Sequence, residues 1–288
     1  MHSSFNSITL LILLLGIILP FIIYHHFKKR LDKETNSIDS TFKEFTVEGE
    51  TFLLTASTPD QKYALTLNTS NDLEVWYIKT KTRKKKLITH TFHILAIAIS
   101  PDGKRAVSAM DCTVQDYMQE HQHDCSETLH FWEIDKKNPL IDKADHSSYI
   151  STISFSPCGN HILAGGGCYW ETSSSRNCSE NLTYWDVKEA ELTHILSLHK
   201  GIISAITFRP QGNYAISVSQ ELLSCWERDE EEDAWDLIAS IPIQYNAIKE
   251  IIFNKYGDKL IINSEEIVQS IDFQDLLSNP EKFSFTKS

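Results

Sequence analysis

Apolar and polar residues alternate along most of the chain in short runs, a pattern that predicts β-strands. Four segments align without gaps and begin at Leu95, Ser151, Ser204 and Glu250, and a weaker copy begins at Thr55. Each contains an apolar strand, a turn with Pro, Asp, Gly or Asn, and a second apolar strand, which is the signature of a β-hairpin. A repeated hairpin is therefore predicted over most of the chain.

A third strand follows each hairpin and carries a second marker. In four copies this strand ends in a tryptophan, at Trp76, Trp132, Trp185 and Trp226. The last copy has Ser-Ile-Asp-Phe at 270–273 in that place. The repeated unit therefore has at least three strands.

A histidine precedes the first strand of three copies. His90, His146 and His199 each stand nine residues before the last apolar residue of that strand. Three occurrences at one offset indicate that the histidines belong to the repeat.

These markers resemble those of the WD-repeat family, whose units run from a Gly-His pair to a Trp-Asp pair. Trp185-Asp186 is the one full Trp-Asp pair, and residues 198–212 match the repeat opening best. The resemblance covers about 45–273 and implies an all-β protein, a β-propeller with about five recognisable blades of four strands each. The family most commonly has seven blades. Either a five-bladed ring closes, divergent blades remain uncounted, or a partner completes the ring.

The resemblance also implies structural roles for the marker residues. The histidines are expected to pack within the blades and the tryptophans to anchor them, instead of binding a metal or a ligand. The glycine before each histidine is missing and the aspartate before the third strand is largely lost, so the family's His–Ser–Asp–Trp hydrogen-bond network is expected to be incomplete. The residues given these structural roles are His90, Trp132, His146, Trp185, Asp186, His199 and Trp226.

The N-terminus carries one uninterrupted apolar block that stands apart from the repeats. Residues 8–24 contain no charge, and the basic residues 28–30 follow. The length is near the lower limit for spanning a bilayer. No Lys or Arg precedes the block and no small-residue cleavage site follows it, which favours an uncleaved transmembrane helix over a secretory signal or a buried core helix. The predicted order is a transmembrane anchor at 7–27, a polar linker at 28–44, the propeller at 45–275 and a C-terminal tail at 276–288.

Two repeats carry insertions between their second and third strands, and cysteines frame both. Cys112 and Cys168 each lie eleven residues after the turn proline, and Cys125 and Cys178 each lie seven residues before the tryptophan. Each pair therefore stands at the neck of its insertion, where two diverging strands place Cβ atoms near the separation that a disulfide needs. Cys112–Cys125 and Cys168–Cys178 are the predicted disulfides.

Two other interpretations of these four cysteines stay open. They are ordinary thiols inherited with the repeat, or all four, or some of them with His121 and His123, hold zinc between adjacent blades, although their spacing differs from the close C-x2-C pattern. The two remaining cysteines are expected to be structural, because Cys158 replaces the turn aspartate and Cys225 precedes a tryptophan.

Two sets of features indicate opposite sides of the membrane for the propeller. Disulfides, and the glycosylation sequons at Asn68, Asn177 and Asn181, fit a domain outside the cytosol. The basic residues 28–30 fit a domain on the cytoplasmic side. Because these residues adjoin the span directly, we favour the cytoplasmic side.

In WD-repeat geometry, the loops between second and third strands emerge on the same face as the histidine-bearing loops. The resemblance therefore implies that the insertions 113–124 and 169–177 stand side by side on one rim of the propeller. Their large side chains are of the kind that contacts protein partners, unless they pack on one another. The rim residues expected to contact a partner are Tyr117, Met118, Tyr169 and Trp170.

Charge narrows the classes of function. The chain has 27 Lys and Arg against 39 Asp and Glu, a net charge of −12, which is opposite to the basic surface of a nucleic-acid-binding protein. A basic run at 81–86 and an acidic run at 227–233 are interpreted as solvated edge segments. If the domain is cytoplasmic, the basic run is also suited to anionic lipid.

Motifs for catalysis are missing from the sequence. There is no phosphate-binding loop, H-E-x-x-H or G-x-S-x-G, and Gly165-Gly166-Gly167 lacks the helix that follows a phosphate cradle. We expect no enzymatic activity and no cofactor. The favoured hypothesis is a membrane-tethered scaffold that binds proteins through the rim and the lipid bilayer through its N-terminal helix, an architecture similar to that of membrane-anchored transducin-β-like proteins. The alternatives are an exported, disulfide-stapled propeller similar to periplasmic TolB-type proteins and, third, an enzyme with a metal site in the insertions.

Overall fold

A computed structural model describes the chain in the ranges 45–87, 94–110, 128–144, 149–167, 181–196, 199, 201–219, 221–229, 231, 234–243, 248–264 and 268–283. Within these ranges the chain forms antiparallel sheets, each built from consecutive strands. We number the sheets blades 1 to 5 in chain order, and the first strand of each blade lies beside the first strand of the next.

The strand bounds repeat from blade to blade. Blade 1 contains β1 (Phe52–Ser57), β2 (Tyr63–Asn68), β3 (Leu73–Tyr77) and β4 (Thr82–Leu87). Blade 2 contains β5 (Ile94–Ile99), β6 (Arg105–Met110), β7 (Leu129–Glu133) and β8 (Leu140–Ala144). Blade 3 contains β9 (Tyr149–Phe155), β10 (His161–Gly167), β11 (Leu182–Asp186) and β12 (Glu191–Ile195). Blade 4 contains β13 (Ile203–Phe208), β14 (Tyr214–Ser219), β15 (Leu222–Asp229) and β16 (Ala234–Pro242). Blade 5 contains β17 (Ile248–Phe253), β18 (Lys259–Ser264) and β19 (Val268–Asp272).

The prediction of an all-β propeller with five recognisable blades is confirmed. Blades 1 to 4 have the expected four strands, whereas blade 5 has three within the described ranges. After β19 the chain turns into a short helix, α1 (Phe273–Ser278), because the Asp272 side chain caps it by accepting the N–H of Asp275 at 3.0 Å. Phe273 is buried against the rings of Tyr214 and Phe253, and the register of the strand pair places Ile271 where the other blades carry a tryptophan.

A β-bulge recurs beside each third-strand tryptophan. In blades 1 to 4 the fourth strand skips one residue in its pairing at that tryptophan. An extra residue of this kind bends the strand and increases its right-handed twist. The repeated bulges therefore give the four blades the same twist beside the same side chain. The skipped residues are Lys84, Ile141, Thr193 and Ile238.

Buried apolar residues fill the spaces between neighbouring blades, so the core is a series of layers. In blades 2 to 4 the third-strand tryptophan lies in the layer shared with the preceding blade, where Trp132 joins Leu65, Trp185 joins Phe131 and Trp226 joins Leu163. Each large apolar side chain buried in these layers contributes about 2 kcal/mol. The layers therefore fix each blade against the next.

Blade 1 is covered from the N-terminal side by the segment that leads into it. Phe45 lies 6.1 Å from Trp76 and Phe52 lies 5.9 Å from it, measured between ring centroids. None of the buried apolar clusters formed by the described residues joins blade 5 to blade 1. Ring closure therefore stays a prediction with three alternatives: a closed five-bladed ring, further blades that were not recognised, or completion by a partner.

The predicted anchor at 7–27 and the polar linker at 28–44 lie outside the described residues. Within the described ranges, no helix has both the length and the apolar composition that crossing a membrane requires.

Candidate functional site

The indole N–H of each third-strand tryptophan donates a hydrogen bond inside the blade core. In three blades its acceptor is a hydroxyl on the second strand, two residues beyond the residue that pairs with the tryptophan. These bonds join Trp76 to Thr66 at 3.0 Å, Trp132 to Ser108 at 2.9 Å and Trp226 to Ser217 at 2.8 Å. A buried N–H without an acceptor costs about 1–3 kcal/mol, so the hydroxyl accounts for this orientation of the indole ring.

In blade 3 the indole N–H also has a hydroxyl acceptor, but this acceptor lies on the third strand and not on the second. Its second strand has Ala164 at the hydroxyl position, and Trp185 instead donates to Thr183 on its own strand at 2.8 Å. Thr183 in turn donates to the backbone oxygen of Ala164 at 3.2 Å. The sequence led us to expect an incomplete His–Ser–Asp–Trp network, and blade 3 lacks the second-strand hydroxyl that accepts from the tryptophan in the other three blades. The four hydroxyl residues were not singled out from the sequence, because their distances from the tryptophans along the chain differ and the strand register is needed to find them.

His199 belongs to the connection that leads into blade 4. Its Nε2 atom lies 2.6 Å from Ser217 Oγ, the atom that also accepts from Trp226. Burial lowers the pKa of His199 to about 4, so the ring is neutral at pH 7. This His–Ser–Trp chain lies entirely within the blade core. His90 and His146 lie outside the described residues.

Asp186 ends β11 and holds the turn that follows it. Its Oδ1 atom accepts the backbone N–H groups of Lys188 at 2.8 Å and Glu189 at 2.9 Å. Its Oδ2 atom faces His161 Nε2 at 3.7 Å. Within the described ranges, no group of three or more His, Cys, Asp or Glu residues is placed to hold a metal ion.

Both insertions leave from the same end of neighbouring blades. Since consecutive antiparallel strands alternate in direction, every connection between second and third strands lies at one end of its blade. The connections 111–128 and 168–181 of blades 2 and 3 are long, whereas blades 1 and 4 have only 69–72 and 220–221 there.

Backbone hydrogen bonds close the necks of both insertions. The N–H of Met110 donates to the Thr128 oxygen at 2.9 Å, and the N–H of Gly166 donates to the Asn181 oxygen at 2.9 Å. The Asn181 side chain also donates to the backbone oxygens of His199 at 3.1 Å and Gly201 at 3.3 Å. The bases of the insertions are therefore parts of the rigid blades.

The inserted segments themselves lie outside the described residues, together with the cysteines and rim side chains predicted there. The disulfides and the rim contacts therefore stay predictions. The residues concerned are Cys112, Tyr117, Met118, Cys125, Cys168, Tyr169, Trp170 and Cys178.

The glycines of β10 serve the contact between blades 3 and 4. A Cβ atom on Gly165 would lie 2.7 Å from Ile206 Cδ1, and one on Gly167 would lie 2.9 Å from the backbone Cα of Ile202. Real Cβ atoms do not approach so closely, so these positions need glycine for blade contact. This role agrees with the expectation that the run is not a phosphate cradle.

The basic run at 81–86 forms the outer strand β4, and acidic partners neutralise much of it. Arg83 pairs with Glu74 at 2.6 Å, and Lys86 pairs with Asp72 at 2.6 Å. Lys84 reaches an aspartate of blade 2 at 2.7 Å. Lipid contact by this run is not supported.

Comparison with known proteins finds similarity to WD-repeat proteins. The profile of the family described as WD domain, G-beta repeat matches residues 81–115 and 138–170. Each match starts at or beside the fourth strand of one blade and covers the first two strands of the next. The chain is also 24% identical over 164 residues to WD repeat-containing protein 18 of Danio rerio, across 54% of this chain. It spans 33% of the length of that relative.

Proposed function

We propose that this chain, a five-bladed WD40-repeat β-propeller, is a membrane-tethered scaffold that presents a protein-binding rim formed by the insertions 113–124 and 169–177. Propellers of this family generally bind proteins and are typically not enzymes. The observation that carries the proposal is the placement of both insertion necks at the same end of neighbouring blades. The residues on the rim that we assign to partner contact are Tyr117, Met118, Tyr169 and Trp170.

The blades supply a rigid base for such a rim. The residues at the necks are buried or hydrogen-bonded, among them Met110, Leu129, Asn181 and Leu182. Binding residues are commonly found on loops that a rigid scaffold positions. A loop that departs from a closed neck loses less conformational entropy on binding than one that departs from a frayed strand end.

The insertions that form the rim distinguish blades 2 and 3 from blades 1 and 4. Blades 1 and 4 show that the fold needs only the short connections 69–72 and 220–221. The longer segments therefore serve a purpose other than completing the blade. Tyr, Trp and Met side chains are enriched at the centres of protein interfaces, which supports a protein partner.

The membrane tether rests on the sequence of the N-terminus. The uncharged apolar block at 8–24 is suited to the bilayer, and the basic residues 28–30 favour a propeller on the cytoplasmic side. Protease protection in sealed membrane vesicles tests both parts. We expect a membrane-bound chain whose propeller is digested when the cytoplasmic face is exposed. Recovery in the soluble fraction, or protection of the propeller, contradicts the corresponding part.

Site-specific photo-crosslinking tests the rim. A photoreactive phenylalanine analogue at Tyr117 or Trp170 is expected to give discrete protein adducts in cells. The matched control is Tyr256, which is exposed in the hairpin turn of blade 5 at the opposite end of the blades. Equal adducts at the control position, or none at either rim position, contradict a binding rim.

Replacement of the insertions provides the second test. A variant with the short connection of blade 1 in place of both insertions keeps the neck hydrogen bonds and is expected to fold and to lose the adduct partner. Its control carries insertions of the same length and composition in scrambled order. Retention of the partner by a folded variant without insertions contradicts the proposal.

A further inference from the structure

The hairpin turn between β9 and β10 brings a thiol, an imidazole and a carboxylate together away from the insertions. Cys158 Sγ lies 3.2 Å from Ser156 Oγ and 4.0 Å from His161 Nδ1. On the other side of the ring, His161 Nε2 lies 3.7 Å from Asp186 Oδ2. Cys158 is exposed, whereas the side chains of His161 and Asp186 are 19% and 31% exposed. A nucleophile, a base and a carboxylate that faces the base are thus arranged in order.

The same turn holds an anion at the position of Cys158 in two other blades. The Asp60 carboxylate accepts the Thr58 hydroxyl at 2.6 Å, and the Asp102 carboxylate accepts the Ser100 hydroxyl at 2.6 Å. In both turns the backbone N–H two residues further on donates to the same oxygen at 3.0 Å. The hydrogen bond from Thr58 is the largest cause of the lowered pKa of Asp60. The turn is therefore built to stabilise a negative charge at this position.

Blade 3 keeps the hydroxyl of this turn and replaces the carboxylate by a thiol. Ser156 occupies the place of the donor hydroxyl and accepts the backbone N–H of His161 at 3.1 Å, as its counterparts do in blades 1 and 2. Its hydroxyl hydrogen is then available to a thiolate at Cys158. The thiolate is the reactive form of cysteine.

The imidazole is held in a suitable orientation from two sides. Its ring is stacked on Tyr184, with the ring centroids 5.0 Å apart. Asp186 is itself fixed by two backbone N–H groups and directs its second oxygen at His161 Nε2. A carboxylate at this place favours the tautomer with the hydrogen on Nε2, which leaves the lone pair of Nδ1 toward the thiol.

The combination of a thiol and an imidazole is confined to blade 3 among the described turns. At the position of His161 the other blades carry Tyr63, Arg105, Tyr214 and Lys259. At the position of Cys158 they carry Asp60, Asp102, Gln211 and Tyr256. The two changes occur together in one turn, and the repeat fold requires neither.

We propose that Cys158 is a modification site that forms mixed disulfides with low-molecular-weight disulfides of the glutathione type. His161 is its proton acceptor, and Asp186 is a positioning residue. The proton of the Cys158 thiol passes to His161 Nδ1, and the thiolate attacks one sulfur of the disulfide. The new S–S bond forms as the old one breaks, and the leaving thiolate takes the proton from His161. The small disulfide is the oxidant, and one free thiol is released per modified Cys158.

The site lies at the end of blade 3 opposite to its insertion, because it belongs to a turn between first and second strands. The proposal therefore does not depend on the protein-binding rim. The other described cysteine provides an internal reference, since burial raises the pKa of the Cys225 thiol to about 12 and encloses it in the core of blade 4.

The test measures modification of each cysteine in the reduced full-length chain. The chain is incubated with glutathione disulfide at pH 7 and quenched with acid, and the peptides are quantified by mass spectrometry. We expect Cys158 to react at least about tenfold faster than a synthetic peptide of residues 154–163. Cys225 is expected to stay unmodified. A Cys158 rate equal to that of the peptide overturns the proposal.

Variants of His161 test whether its imidazole, and not the exposure of Cys158 alone, makes the thiol reactive. His161→Tyr places here the residue that blades 1 and 4 carry, and it is expected to slow Cys158 modification about tenfold. His161→Gln is the second variant and decides the matter if the tyrosine disturbs folding, which thermal unfolding detects. His130→Gln on β7 of blade 2 removes an imidazole from another blade; it is the control and is expected to leave the rate of Cys158 modification unchanged. Unchanged rates in both folded His161 variants overturn the proposal.

Discussion

The Nε2 atom of His199 lies 2.6 Å from the hydroxyl oxygen of Ser217, and this contact joins the connection before blade 4 to the second strand of that blade. The same oxygen accepts the indole N–H of Trp226 from the third strand at 2.8 Å. All three side chains are buried, so water does not replace a lost partner. One hydroxyl therefore joins the connection before blade 4 to the second and third strands of that blade.

Ser217→Ala is expected to destabilise the chain by about 1–3 kcal/mol, because it leaves the Trp226 N–H and the His199 ring without their buried partner. Denaturant unfolding of the full chain measures the loss. Ser204→Ala is the matched control in the same blade, since its exposed hydroxyl makes one long bond of 3.4 Å. A similar loss in both variants contradicts the role assigned to Ser217.

His199 is expected to make stability depend on acid pH. Its pKa is about 4 in the folded chain because of burial and 6.5 as the ordinary value. The unfolded chain therefore binds more protons between these values, and the free energy of unfolding falls as the pH drops from 6.5 to 4. The loss is about 3 kcal/mol at most. Above pH 6.5 this contribution is constant.

His199→Gln isolates this effect from other titrating groups. The difference in unfolding free energy between the original chain and the variant is expected to shrink as the pH drops through that window. A difference that stays constant from pH 7.5 to 4.5 contradicts a neutral, buried His199.

The fold could be predicted from the sequence because its units repeat. Hairpin turns and third-strand tryptophans recur in the same order in successive repeats, and each predicts a strand or a side chain that faces a neighbouring blade. The end of the propeller was less predictable, since Ile271 replaces the tryptophan and Asp272 caps a helix where a fourth strand was expected. Capping depends on a single side chain and leaves no periodic signal.

The hydrogen-bond acceptors of the indole N–H groups could not all be predicted from the sequence. Trp185 was assigned from its own position, but its partner Thr183 follows from the loss of a hydroxyl at Ala164 across the strand pair. Such compensation becomes visible only when the register is known. The arrangement of Cys158 and His161 was missed for a similar reason, because a turn residue is judged from sequence by its backbone and not by its neighbours.

Blade 3 offers a direct test of that compensation. Thr183→Val removes the acceptor of Trp185 and is expected to cost about 1–3 kcal/mol. Ala164→Ser then supplies a hydroxyl at the place that Ser108 and Ser217 occupy in blades 2 and 4, and the double variant is expected to recover most of the loss. Unfolding free energies of the four chains form a double-mutant cycle. Additive losses contradict the exchange of acceptors.

The contact between blades 3 and 4 is expected to be sensitive to a single methyl group. Gly165→Ala places a Cβ atom 2.7 Å from Ile206 Cδ1 and 2.8 Å from Ile203 Cγ2, and both isoleucines are buried. Because a packed layer cannot yield freely, the variant is expected to lose about 1–3 kcal/mol in the free energy of unfolding.

Relief of the clash distinguishes this cause from a change in strand propensity. Ile206→Val deletes the Cδ1 atom that the new methyl group meets first, at a cost of about 1 kcal/mol in the original chain. In the Gly165→Ala background the same deletion is expected to cost less or to stabilise, because it opens the space the methyl group needs. Equal effects of Ile206→Val in the two backgrounds would mean that the blades do not meet at Gly165, and calorimetric or denaturant unfolding of the four chains decides between these outcomes.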